Sequence, residues 1–393
     1  MAEGLHDVVI VGAGPVGLAL AAGLGQAGLR VALVDRSAVA IDIDAPASAW
    51  DARVYAVSPG SAAFLHGLGA WPRLDSSRIT AIETMEIAGD AGGQLRFSAY
   101  EQGVRALAWI VEASGLTRAL CELVRTQPLV ETLSPVEPVR VSWDAQRVEL
   151  TLGDARVIAG RLLVAADGAH SWTRRQAGLL QEPVSLGDTA VVANFDTALP
   201  HRGRAFQWFL GDEGVLAWLP LRGLRMSMVW SAPRSVADEL MGCDPTALAQ
   251  RVGAAGANAL GSLSVLTPAQ RFPLTSLHLS TVIGHRLALV GDAAHGVHPL
   301  AGQGMNLGLG DAAALVRVLA EGRLTRDAGA PLLLERYASR RAEPVLAMQA
   351  VTGGLARLFA ARGPFARGMR NAGMNVLAAV PPLRRALAQP ALR

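Results

Sequence analysis

His6-Asp-Val-Val-Ile-Val-Gly12-Ala-Gly14-Pro-Val-Gly17-Leu-Ala-Leu-Ala-Ala-Gly-Leu-Gly-Gln-Ala-Gly28, followed by Arg30-Val-Ala-Leu-Val-Asp35, is the stretch from which the rest of the chain can be read. Its first six residues are rich in Val and Ile, as in a strand buried on both faces. Leu18 to Ala27 then has helical periodicity, and Gly28 stops the helix. Between them the glycines have distinct tasks. Gly12 makes a tight turn, Gly14 lets the backbone approach a pyrophosphate, and Gly17 lets the helix pack close to the strand with its N-terminus toward the anion. Asp35 ends the second strand, 18 residues beyond Gly17, placed to accept from a ribose hydroxyl. The segment also holds 22 uncharged residues, Val8 to Leu29, the length of a membrane span. The glycine spacing and the following strand make it a βαβ unit instead.

Two further apolar runs end in an acid at a turn: Arg161-Leu-Leu-Val-Ala-Ala-Asp167-Gly168 and Arg286-Leu-Ala-Leu-Val-Gly-Asp292. Between them the pattern changes to short alternating stretches, among them Thr84-Met-Glu-Ile-Ala and Arg225-Met-Ser-Met-Val-Trp, which read as antiparallel strands. Phe206, Trp208, Phe209, Trp218 and Trp230 fall on these runs, mostly as sheet core. The expected fold is α/β: a Rossmann-like dinucleotide-binding domain, which the resemblance given below makes the FAD-binding domain, an inserted antiparallel-sheet substrate domain and a C-terminal helical segment. The boundaries expected are 1–75, 101–182 and 272–345 for the nucleotide domain, 76–100 and 183–271 for the substrate domain, and 346–393 for the helical region.

Composition narrows the chemistry. With 393 residues, 51% hydrophobic and 18% charged, the chain can build a sizeable core. All 36 basic residues are arginine, so Schiff-base chemistry and any lysine acid are excluded. The formal net charge is +3, but no arginine-rich run is interleaved with aromatics, so no nucleic-acid partner is expected. Cys121 and Cys243 lie far apart outside any CxxC pair, which excludes a disulfide framework and a cysteine-based zinc site. His295 and His298 are three apart with no third ligand near, so no metal is expected. The N-terminus lacks the basic and small-residue features of a secretory signal.

Three motifs together carry a resemblance. Gly12-x-Gly14-x-x-Gly17, Asp167-Gly168 and Gly291-Asp292-Ala-Ala-His295 resemble the fingerprints of single-component flavoprotein aromatic hydroxylases, the para-hydroxybenzoate hydroxylase-like enzymes. The third continues as His298-Pro299-Leu-Ala-Gly302-Gln303-Gly304-Met305-Asn306-Leu-Gly308-Leu-Gly-Asp311, which is similar to the ubiquinone-biosynthesis hydroxylases within that superfamily. Asp51-Ala-Arg53-Val-Tyr-Ala-Val-Ser58 and Val111-Glu112 are similar to the same subfamily, although Ala113 stands where many members carry a polar residue.

The resemblance implies an FAD-dependent monooxygenase that hydroxylates the ring of a polyprenylated phenol through a flavin C4a-hydroperoxide. O2 is the co-substrate, and NAD(P)H or another donor binds transiently. FAD contacts are implied for Gly12, Gly14, Gly17, Asp35, Arg53, Asp167, Gly168 and Asp292. No side-chain acid or base is assigned. Pro299, Gly302, Gly304, Met305 and Asn306 form the loop that positions the flavin, where a helix N-terminus favours negative charge on the reduced ring.

Two matters stay open at this level. After Glu343 there is no acidic residue and there are seven arginines among apolar residues. This tail reads either as basic amphipathic helices on an anionic membrane or as a helical cap on the nucleotide domain. The first reading makes the protein cytoplasmic and peripheral on the inner face of the cytoplasmic membrane, with a biosynthetic complex as a possible partner. The function has two alternatives, a hydroxylase of a soluble aromatic acid and a non-catalytic FAD-binding member of a biosynthetic assembly. The first would need a cationic clamp, for which Arg202, Arg204, Arg222 and Arg225 are candidates.

Overall fold

The structure is a computed structural model that describes residues 4–39, 49–296, 303–322, 327–360 and 363–392. Its organising element is a sheet whose parallel core runs in the order Leu287–Leu289, Val157–Ala165, His6–Val11, Val31–Val34, Val130–Leu133. Each of these strands except the outermost is apolar and buried along most of its length, as both faces are covered. The helix Pro15–Gln26 follows the first strand, with Pro15 at its first position, where a missing N–H costs nothing. Its buried face meets the helices Ala113–Arg125 and Gly304–Glu321 in one apolar core.

The register decides where the motifs go. Leu289, Ala165, Val11 and Val34 lie in one row across four adjacent strands. Gly12, Asp35, Asp167 and Asp292 therefore leave the same carboxyl edge one to three residues later, side by side.

A second sheet runs Leu263–Val265, Val184–Thr197, Arg225–Pro233, Val215–Leu221, Arg204–Phe209, Thr84–Ala88, Gln94–Ser98, with Gln270–Ser276 also pairing Val184–Thr197. It is antiparallel except where Arg204–Phe209 meets Thr84–Ala88. One face carries Phe195, Trp218, Met228 and Trp230, buried under the helices Arg234–Gly242 and Pro245–Ala255. A small third sheet joins Val54–Val57, Ala108–Glu112 and Thr80–Ile82, and it packs against the opposite face.

The tail does not simply cap the nucleotide sheet. The helix Pro331–Ala360 packs on Gly304–Glu321, whereas Pro364–Ala379 docks on the strand Gln94–Ser98 of the second sheet. There the Arg370 guanidinium forms a buried ion pair with Asp90, with Nε 3.0 Å from Oδ1. The Asn371 carboxamide accepts from Gly93 N at 2.8 Å, in space that a Cβ on Gly93 would invade. No helix among the described residues is long and apolar enough to cross a membrane.

Candidate functional site

The glycine turn separates structural from functional glycines. Gly12 has φ +109°, and a Cβ there would stand 2.3 Å from the carbonyl oxygen of Ala166. A Cβ on Gly17 would stand 2.0 Å from the carbonyl oxygen of Gly12. Both are needed for the protein to pack against itself. Gly14, the helix N-cap, has an ordinary φ of −67° and nothing within 4 Å of where a Cβ would project. That open space, in front of a helix N-terminus with no side-chain cap, is where an anionic group fits.

Three acids surround this turn. Asp35 accepts from Ala13 N at 2.6 Å and from Ser37 N at 2.7 Å, so its carboxylate is held at the lip of the turn. Asp167 accepts from Thr173 N at 2.9 Å and from the Ser171 hydroxyl, which fixes the start of the helix Trp172–Gln176. Gly168 beside it has φ +82°, with open space around it. Asp292 touches solvent yet is closely ringed by protein, as expected at the wall of a cleft. That crowding raises its pKa against the opposing pull of His295 and Arg53. A Cβ on Gly304 would come within 3.9 Å of the Asp292 carboxylate, so this acid stands by the N-terminus of the helix Gly304–Glu321.

Arg53 reaches the same cleft from the third sheet. Its guanidinium carbon lies 5.4 Å from the ring centroids of both Tyr55 and Phe272, so it lies against aromatic rings from two different sheets. Ahead of it, Asn194 of the second sheet donates to the Asp51 carbonyl at 2.8 Å. Glu112 holds the other side of this loop, accepting from Asp51 N at 2.6 Å and pairing with Arg78 at 2.8 Å. Burial raises the Glu112 pKa.

The expected flavin-positioning loop is described only in part. Pro299, Gly302 and His298 lie outside the described residues. Gly304 begins the helix, and Met305 is half-buried against the nucleotide core. Asn306 is a tether: it accepts from Ser58 N at 2.9 Å and donates to Ala56 O at 2.9 Å, joining the helix to the strand Val54–Val57. Gly308 allows this helix to meet Val16 and Gly291, whose atoms would lie 2.6 and 3.1 Å from a Cβ. Among the described residues no group of three or more His, Cys, Asp or Glu is placed to hold a metal.

Two supporting groups stand outside the expected flavin contacts. Arg174 is fully buried and donates to Ala293 O at 3.1 Å and Ala169 O at 2.9 Å, linking the turn after Asp167 to the turn after Asp292. Asp311 accepts from His295 Nε2 at 2.7 Å, Gly291 N at 2.9 Å and Arg341 Nε at 2.6 Å. Asp311 closes the family-like string, and a second signal for it is an acid on the mostly apolar buried stripe of its helix, beside Leu307, Ala312 and Leu315.

Comparison with known proteins agrees with this geometry. The family model described as FAD binding domain matches residues 6–352. Ubiquinone hydroxylase UbiL of Rhodospirillum rubrum is 33% identical over 387 residues, covering 98% of this chain and 89% of that protein. The 3-demethoxyubiquinol 3-hydroxylase of Escherichia coli is 32% identical over 369 residues, covering 94% and 93%. Among solved structures, PqsL of Pseudomonas aeruginosa, described as a probable FAD-dependent monooxygenase, matches with TM-score 0.79 and 26% identity over 95% of this chain and 100% of that one. The chain thus belongs to the FAD binding domain family and, within it, to the FAD-dependent monooxygenases that include the ubiquinone hydroxylases.

Proposed function

We propose that this protein hydroxylates the aromatic ring of a polyprenylated phenol in ubiquinone biosynthesis. The observation that carries the reading is 32–33% identity to ubiquinone hydroxylases over nearly the full length, combined with Asp35, Asp167, Asp292 and the Gly14 opening gathered along one sheet edge. FAD is the cofactor, and when bound it supplies the two-electron and oxygen chemistry. The protein's residues bind, orient and exclude water. Gly14 and the helix behind it would hold the diphosphate, and Asp35 and Asp292 would accept from ribose and ribityl hydroxyls. Asn306 fixes the helix that starts beside Asp292. That helix N-terminus favours negative charge on the reduced ring without a charged side chain.

The substrate wall is the face of the second sheet turned away from its helices. Ala217, Leu219 and Val229 lie in mid-sheet yet remain part open, which supports an apolar cleft above them. A water-poor, apolar wall suits an electrophilic oxygen transfer. The soluble-acid alternative loses support from its own clamp candidates. Arg204 lies 3.6 Å from Glu86, and Arg225 lies 3.0 Å from Asp196, so both are already paired with acids, and Arg202 and Arg222 are exposed on turns.

The test is deletion of the gene in its host with mass spectrometry of the quinone pool. Accumulation of a prenylated phenol lacking a ring hydroxyl is expected. An unchanged pool with no new prenylated species, in a strain without a paralogue, refutes the substrate. An FAD-loaded protein that leaves such a phenol unhydroxylated with any reductant would instead support the non-catalytic alternative.

Membrane association is the further part of this proposal. Arg370 and Arg384 are engaged with Asp90 and Glu101, so they do not serve as lipid contacts. Arg96, Arg105 and Arg385 are exposed near the docked tail, along with Tyr100 and Val380. This combination suits the surface of an anionic bilayer. Flotation with phosphatidylglycerol vesicles, but not with phosphatidylcholine vesicles, is the expected result, and equal recovery from both refutes it.

A further inference from the structure

We infer that Asp311 is a positioning residue for the flavin site, and that with His295 and Arg341 it both sets the stance of Asp292 and brings a buried charge to the bound cofactor. The inference rests on the reading of Asp292 as a flavin contact.

The geometry is that of a hub. Asp311 Oδ2 accepts from Gly291 N at 2.9 Å and from His295 Nε2 at 2.7 Å, while Oδ1 accepts from Arg341 Nε at 2.6 Å. One carboxylate thus ties both sides of the Gly291–His295 turn to the helix Gly304–Glu321. Gly291 takes φ +60°, and His295 N donates back to Gly291 O at 3.1 Å, so Asp292 projects from a turn held at each end. Arg341 comes from the helix Pro331–Ala360, donates also to Leu307 O at 3.1 Å, and fills the space beside Gly310. From the same helix the Tyr337 hydroxyl donates to Leu289 O at 2.7 Å, on the strand leading into the turn.

All of these side chains are buried or nearly so, with Asp311 1% and His295 3% exposed. A carboxylate so placed is tolerable only if its lone pairs are filled, and Asp311 fills them with one backbone and two side-chain donors. Burial opposes charge on Asp311, but His295 and Arg341 overcome it and hold its carboxyl below the usual range. Burial also opposes charge on His295, and Asp311 overcomes that in turn, raising its pKa. The charged and titratable groups facing the turn are Asp292, Asp311, Arg341, Tyr337, Arg53 and Arg174, which donates to Ala293 O at 3.1 Å.

The charge makes the two functions separable from mere packing. In a His295→Gln background, where no imidazole proton is lost along with the carboxylate, Asp311→Asn removes a negative charge from behind the turn and favours the reduced, more negative cofactor. Arg341→Met removes a positive charge and disfavours it. The experiment measures the FAD dissociation constant and the reduction potential of bound FAD for the full-length wild type, Asp311→Asn, His295→Gln, the two together, Arg341→Met, His295→Ala and Asp292→Ala. Folding of each variant is followed by circular dichroism.

Loss of a charge-assisted bond at the hub is expected to weaken FAD binding roughly 10- to 100-fold in Asp311→Asn. The potential is expected to rise when Asp311→Asn is added to His295→Gln and to fall in Arg341→Met. Potentials that shift in the same direction, or not at all, overturn the inference, as does FAD affinity within twofold of wild type in Asp311→Asn. If Asp311→Asn does not fold, His295→Ala, which removes a donor from the hub and leaves the carboxylate in place, carries the affinity test against the same twofold limit. Asp292→Ala separates the two levels. Unchanged FAD affinity in that variant sinks the reading of Asp292 itself, whereas a loss there without one in Asp311→Asn sinks only the hub.

Discussion

Exchanging Gly14 and Gly17 for alanine, one at a time, tests whether the open space at Gly14 is a binding feature and not slack in the fold. The two residues are three apart in one turn, so chain-wide effects are shared. At Gly17 the new methyl would stand 2.0 Å from the Gly12 carbonyl oxygen, a contact that backbone movement alone can relieve. Overpacking of this kind costs about 1–3 kcal/mol or more. At Gly14 nothing lies within 4 Å. Alanine is a poorer helix N-cap than glycine by roughly 0.5–1 kcal/mol, and the stiffer unfolded chain returns about 0.4–1 kcal/mol, so the two nearly cancel. The apoprotein of Gly14→Ala should therefore unfold within about 0.5 kcal/mol of wild type in urea. Its FAD affinity, followed by flavin fluorescence, should fall about 100-fold, equivalent to ~2.7 kcal/mol, because the methyl occupies the path of the diphosphate. If Gly14→Ala binds FAD as wild type does, or loses as much stability as Gly17→Ala, the assignment of the opening is wrong.

Three further outcomes follow from the same structure. Because crowding raises the Asp292 pKa, the ionised carboxylate works against the apoprotein fold: its contribution is favourable below the unfolded pKa and is lost as pH rises through the folded one. Asp292→Asn should then raise the melting temperature of the apoprotein at pH 7 while weakening FAD binding; a melting temperature that falls or stays level contradicts this. Asn306→Ala strands Ser58 N and Ala56 O in a buried place and should cost about 2–4 kcal/mol in urea unfolding, with less than 1 kcal/mol counting against the tether. Arg370→Ala removes a buried guanidinium from beside Asp90, which keeps its bond from Asn371, and the local cost of about 3–5 kcal/mol should loosen the tail helix. Hydrogen exchange at Gly93 and Gln94 N–H, which donate to Asn371 and Asn375, should quicken while exchange in His6–Val11 stays slow. Unchanged protection at Gly93 would show that the tail is held by other contacts.

The sequence alone determined the parts whose information is local. A run of Val and Ile, three glycines and an acid at fixed spacing specify strand, turn, helix and strand, because each demand is met within a few residues of where it is made. The same holds for Asp167-Gly168 and Gly291-Asp292, since each follows a buried strand, and parallel pairing then brings their ends to one edge. The string from Gly304 to Asp311 announced its kinship, but it read as a loop as far as Asn306, whereas the helix already begins at Gly304 and uses Asn306 as the tether to Ala56 and Ser58.

What only the tertiary structure decided are the partners. Arg341 meets Asp311 across 30 residues, Arg174 meets Ala293 across 119, and Arg370 meets Asp90 across 280. No periodicity encodes such pairs. An arginine on a helix reads as solvent-facing until the path of the chain places a buried carboxylate or carbonyl against it. The same applies to Arg53, whose setting between Tyr55 and Phe272 exists only because the third sheet packs against the second. The tail shows it most plainly: its arginines and leucines promise an amphipathic helix, but the Gly89–Gly93 turn, where Gly89 and Gly93 leave room for Asn371 and Asp90 pairs with Arg370, decides which face of the molecule that helix occupies.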